Sequence, residues 1–200
     1  MLTVVRAFKP HVIISVFSGT PRDGHGQHQA AGILAREAYD WSGDSARVPR
    51  SATGGFGAWT VSKFYRGASF RRENATLSFN VGEYDPVLGR SYAEIAAISR
   101  SQHRSQAFGT LQPLGVRFDM VQREAMRVAG PADAKTERSM FDGIDTTWGR
   151  FRARATDARS RASLDSLSQA FTDAQRSFDP WVQTCITSLQ QIFKCLLFKI

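Results

Sequence analysis

The sequence predicts an α/β fold with a mostly parallel sheet, on three observations. First, "HVIISVF" (11–17) is a continuous apolar run rich in β-branched residues, the pattern of a strand covered on both faces. Second, a short helix over about 2–8 precedes it, and a longer helix over about 26–41 follows it across a loop with Gly19, Pro21 and Gly24. Third, helix, strand, loop, helix is the alternation from which α/β domains are built.

The elements follow in order. In the 26–41 helix, Ala30, Leu34, Ala38 and Trp41 fall on one stripe with Ala31 and Ala35 beside it, and that stripe is expected to face the core. Residues 42–60 form an irregular loop rich in Gly and Ser. "VSKFYRGA" (61–68) and "ATLSFNV" (75–81) read as strands, and "GEYDPVLG" as a turn built on Asp85-Pro86. Ser91 caps a helix over about 92–104, with Glu94 completing a capping box and Tyr92, Ile95, Ala96 and Ser99 on one side. "GVRFDMVQ" (115–122) reads as a last strand. Leu164, Leu167, Phe171, Ala174 and Phe178 then recur at helical spacing, an amphipathic packing helix that Asp179-Pro180 ends.

Composition narrows the class. The chain has 200 residues, 42% hydrophobic and 22% charged, which suits one globular domain with or without an extension. The net charge of +8 comes from 21 Arg against 5 Lys. Such a balance favours polyanions, but the basic residues are spread along the chain. The dense run Arg150, Arg152, Arg154, Arg159 and Arg161 reads as a solvated surface. No nucleic-acid motif and no aromatic–basic interleaving stands out, so no nucleic-acid partner is expected. No membrane partner is expected either, because nothing approaches the roughly 20 apolar residues of a span. Arg6, Lys9 and His11 also break up the N-terminus as a signal peptide. Cys185 and Cys195 form no CxxC motif. They lie in residues 184–200, which contain no Arg, Ala or Gly and read as an atypical tail.

The chemistry concentrates in "TPRDGHGQHQAAGILAREAYD" (20–40). The chain has four histidines, and His25 and His28 sit three apart in a glycine-rich turn that opens a helix. At that spacing two side chains share one helix face. The turn follows the C-terminal end of a strand, where open α/β sheets bind ligands, and a helix N-terminus favours negative charge. His-x-x-His alone is a weak metal signal, and a catalytic zinc needs three protein ligands and an open position. Asp23 is available as a substitute ligand, in the pattern Asp-x-His-x-x-His.

"DGHGQHQAAGILAREAYD" is similar to the second histidine motif of the PIG-L/LmbE family of zinc-dependent N-deacetylases. "VGEYDPVLGRSYAEIAAISRSQHRSQAFG" resembles that family's helix ending in His-x-Ser-Gln, here His103, Ser105 and Gln106. "FDGIDTTW" (141–148) resembles a segment of long bacterial members. The resemblance covers about residues 1–180. It implies a Rossmann-like three-layer sandwich, with Zn2+ at the C-terminal edge of the sheet. It implies that His28 is a zinc ligand and that His25 supports the tetrahedral intermediate as acid or electrostatic stabiliser. His103 would lie on the substrate side, and Arg22 is placed with it as a substrate-binding candidate. The substrate would be an N-acetylated amino-sugar-like small molecule. Long members often carry an N-terminal export signal, which implies export of a longer parent.

The family's other zinc ligands and its general base come from a His-Pro-Asp-Asp motif, and no such run occurs here. His11, in "KPHVII", lacks a following Asp, and Asp142 and Asp145 have no histidine beside them. The expectation is a chain that begins partway through a catalytic domain and is inactive alone. Residues 1–150 would be a partial deacetylase domain, 151–183 a helical extension and 184–200 the tail. A sheet so divided would expose an edge strand and apolar helix faces, open to association through that edge. The alternative is a non-catalytic sugar- or protein-binding module that keeps the fold. Glu83, Tyr84 and Asp85 would then be candidates for a sugar pocket.

Overall fold

The computed structural model describes residues 1–68, 72–85, 87–103, 105 and 114–177. Expectations that concern Pro86, Gln106, Phe178, Asp179-Pro180 and the 184–200 tail lie outside them. The fold is mixed α/β and divides into two units, Met1–Asn80 with Phe118–Ile144, and Val81–Arg117 with the described residues from Asp145 onward.

The first unit is built on a four-stranded sheet in the order β1 (Val12–Ser15), β2 (Lys63–Gly67), β6 (Phe118–Met126), β3 (Leu77–Asn80). β1 runs parallel to β2, with Ile13 opposite Phe64 and Ile14 opposite Tyr65. β6 is antiparallel to both β2 and β3. The expected mostly parallel sheet is therefore corrected to a mixed one, with one parallel pairing in three. An apolar run reports burial on both faces but carries no information on the direction of its neighbour. The chain direction comes instead from the connections.

Alternation along β2 separates two cores. Phe64 faces α1 (Leu2–Phe8) and α2 (Gly26–Trp41), in a cluster with Val5, Ala35, Ala38, Tyr39 and Val61. Tyr65 faces the other way and packs with Val12, Val121, Leu77, Phe79, Met140 and Ile144. Fully burying a side chain such as Phe64 contributes roughly 1.5–3 kcal/mol.

Charged groups complete both layers. Arg6 of α1 is fully buried, and its guanidinium donates to the carbonyls of Ser42 (2.9 Å) and Asp44 (3.0 Å) and to Thr53 Oγ1 (3.2 Å). It thereby ties α1 to the loop that follows α2. On the opposite face, Lys63 Nζ lies 2.5 Å from Glu137 Oε1, both side chains fully buried, with Arg123 Nη1 3.5 Å from the same oxygen. Burial, with the Glu137 carboxylate beside it, pushes the Tyr65 phenol well above its ordinary value.

α2 has the predicted limits but not the predicted orientation. Gly32, Ala35, Ala38 and Tyr39 are buried, whereas Ile33 and Leu34 are 48% and 44% exposed. Gly32 decides this. A methyl there would overlap the backbone of Gly19 and the Phe17 carbonyl, so the helix meets the loop at its smallest residue. Among the described residues β1 pairs only with β2, so it forms an edge of the sheet.

In the second unit, β4 (Tyr84–Asp85) and β5 (Arg90–Ser91) form a two-stranded ribbon leading into α3 (Tyr92–Ser101). The predicted capping box is present. Ser91 Oγ accepts from the Glu94 N–H (3.2 Å), and the Glu94 carboxylate accepts from the Ser91 N–H (2.7 Å). Asp85 is buried and accepts from the Val87 and Leu88 amides at 2.8 and 2.9 Å, so its carboxylate holds the turn. α4 (Gly149–Arg154) and α5 (Ala158–Ser177) are linked by Arg152 and Asp165 at 2.6 Å and by Trp148 against Phe171. Leu167, predicted on the packing stripe of α5, is 59% exposed.

Candidate functional site

β1 ends at Ser15, and the chain needs ten residues to reach the helical start of α2 at Gly26. The Asp23 side chain shapes that loop. Its Oδ1 accepts from the Ser18 amide and hydroxyl, both at 2.9 Å, and its Oδ2 from the Gly19 (2.6 Å) and Thr20 (3.2 Å) amides. Burial alone would raise this carboxyl. The hydrogen bonds from Ser18, Gly19 and Thr20 together outweigh it and hold Asp23 below the usual carboxylate range. Both oxygens are thus committed to the loop, and the substitute-ligand expectation for Asp23 is not what this geometry supports.

The two histidines do come together. His25 is the N-cap of α2, with extended backbone, and His28 lies in the first turn. Their ring centroids are 3.8 Å apart. Phe17 stacks on the other face of His28 at 3.9 Å and 13°. His28 is thus held between two rings, half-buried, while His25 is exposed.

The His28 Nδ1 lies 3.1 Å from the Asp23 carbonyl oxygen. A carbonyl can only accept, so Nδ1 is the donor in this contact and Nε2 is the ring nitrogen left to face a ligand. A backbone carbonyl holding one ring nitrogen so that the other can bind is the usual arrangement of a metal-ligating histidine. α2 has no acidic residue in its first turn to offset the partial positive charge of its N-terminus.

The other candidates are placed as follows. Arg22 is exposed in the short 3-10 turn Pro21–Asp23, on the same loop as the histidines. His103 belongs to the second unit, just past α3, exposed, with its backbone N–H donating to the Arg100 carbonyl at 3.0 Å. Among the described residues no three His, Cys, Asp or Glu side chains are placed to share one ion. The described donor set is therefore His28 with His25 beside it, short of a full catalytic set.

Sequence reasoning missed Phe17 and Arg66. Phe17 reads there only as the end of an apolar strand. Arg66 gave one available signal, a charge inside the run "KFYRG" that should otherwise be apolar. No protein-family model matches the chain, and no curated protein matches it.

Proposed function

We propose that the Phe17–His28–His25 turn is the histidine half of a metal-dependent amide hydrolase centre of the PIG-L/LmbE type, on a sheet that belongs to a Rossmann-like three-layer sandwich. The substrate class is an N-acetylated amino sugar. The observation that carries the reading is the His28 imidazole, with Nδ1 committed to the Asp23 carbonyl and Nε2 available.

In this reading zinc, when bound, polarises a carbonyl and lowers the pKa of a water. The chain's own part is more limited. His28 supplies an imidazole oriented by its Nδ1 contact to the Asp23 carbonyl. His25, more exposed and one ring away, stabilises negative charge developing on the acetyl oxygen, beside the partial positive charge of the α2 N-terminus. Arg22, on the same loop, is proposed on the substrate side.

A second reading, a binding module without catalysis, is favoured by the commitment of both Asp23 oxygens to loop amides. Calorimetric titration of the metal-free chain with Zn2+ separates the two. The hydrolase reading expects 1:1 binding that His28→Ala abolishes and His25→Ala weakens. Absence of binding by the unaltered chain would overturn it.

A further inference from the structure

The loop that carries Phe17 lies outside regular secondary structure, yet its ring stacks on His28. Its main chain is held by side chains instead. The Phe17 carbonyl accepts from Ser15 Oγ (2.8 Å) and from Arg66 Nη1. Arg66 is held in turn. Its Nε and Nη2 donate to the two oxygens of Glu124, each at 3.1 Å, a bidentate pair between β2 and β6.

The strand register explains how Glu124 reaches it. Phe64 pairs with Ala125 and Tyr65 with Arg123, so Glu124 is the extra residue of a β-bulge. Strict alternation would put Glu124 and Ala125 on opposite faces, and Ala125 packs in the Phe64 core. The bulge turns Glu124 toward the face that carries Phe64 and Arg66, whose guanidinium lies 5.1 Å from the Phe64 ring. Bulges recur beside functional sites because they re-aim one side chain.

We infer that Arg66, oriented by the bulged Glu124, is the positioning residue of the histidine pair, acting through the Phe17 carbonyl and the Phe17 ring on His28. Lysine cannot replace it. An ammonium has no planar fork to bind a carboxylate bidentately while donating to a carbonyl on its other side. The metal-binding consequence rests on the proposed function, whereas the orientation of His28 does not.

The test uses the full chain with labelled histidine. The His28 ring protons of the unaltered chain should be shifted upfield by the stacked Phe17, and Phe17→Leu should remove that shift. Arg66→Lys and Glu124→Gln should each move the His28 resonances most of the way to the Phe17→Leu positions, while circular dichroism stays unchanged. Glu124→Gln, the milder change, serves if Arg66→Lys lowers the folded population. In parallel, Zn2+ affinity should fall about tenfold in Glu124→Gln, the scale for losing an outer support of a ligand. Unmoved His28 resonances in both variants would overturn the inference. Zn2+ binding that His28→Ala abolishes but Glu124→Gln leaves unchanged would overturn its metal-binding part while leaving the hydrolase reading intact. Absence of Zn2+ binding by the unaltered chain, with the predicted resonance shifts present, would overturn only the hydrolase reading.

Discussion

The two faces of β2 use charge differently. On one, Lys63 and Glu137 are sealed from water with Tyr65 between β1 and β6, and the ion pair anchors the 133–144 segment to the sheet. On the other, Arg66 and Glu124 stay partly exposed, at 12% and 27% for their side chains, and hold a loop carbonyl beside two histidines. A sealed pair is a fixture, because neither ion tolerates loss of the other. A partly solvated pair can be altered without collapse, which suits a support that sets geometry. Charge alone does not distinguish a site from a core; solvent access and the group at the end of the chain of contacts do.

The largest effect should come from the sealed face. Glu137→Ala leaves Lys63 buried without its carboxylate and should cost about 3–5 kcal/mol in denaturant unfolding. Replacing Lys63 as well, Lys63→Met with Glu137→Leu, should recover part of that loss, because Arg123 still loses its contact with Glu137. If the single and double variants were equally unstable, the comparison would break, since the pair would then matter for shape rather than charge.

Next is the contact that seats the histidine loop on α2. Gly32→Ala forces a methyl against the Gly19 backbone and should cost about 1–3 kcal/mol while displacing the His28 ring resonances. Stability lost with the histidine signals unmoved would show that loop and site are uncoupled. Ser91→Ala, in the second unit, is the control. Losing the α3 cap should cost about 1 kcal/mol and leave the His28 signals where they are.

The smallest effect should be on pH dependence. Hydrogen bonding depresses the folded-state Asp23 pKa, so its contribution is present above the unfolded value of about 3.9 and is lost as pH falls through the folded one. The Gly19 amide, bonded to this carboxylate at 2.6 Å, should shift upfield below about pH 3.9. Asp23→Asn should abolish that titration without unfolding the chain. A Gly19 amide that titrates identically in Asp23→Asn would remove Asp23 as the organiser of the loop.

Much of the local structure was legible. The α2 limits, the α3 capping box, α5 and all four strands of the main sheet follow from periodicity, caps and β-branched runs, signals that act over a few residues. The orientation of α2 was not legible, because Ala30, Ala31, Ile33, Leu34, Ala35 and Ala38 leave apolar residues on nearly every side. The choice fell to the residue small enough for the Gly19 contact. In the candidate site, the pairing of His25 with His28 was readable from spacing. The commitment of Asp23 was not, since a carboxylate beside histidines looks the same in sequence whether it faces a cation or four loop donors.

By itself the sequence determined which segments become helices and strands, and that two imidazoles meet at the start of α2, because each depends on neighbours within one or two turns of chain. Tertiary structure decided the mixed direction of the sheet, the ring on which His28 rests and the side chains that hold that ring. Those contacts join Phe17 to Arg66 and Arg66 to Glu124, across separations of 49 and 58 residues. No local periodicity spans such distances. They exist only once a bulge, a loop and a helix face have been packed together, so only the folded chain could reveal them.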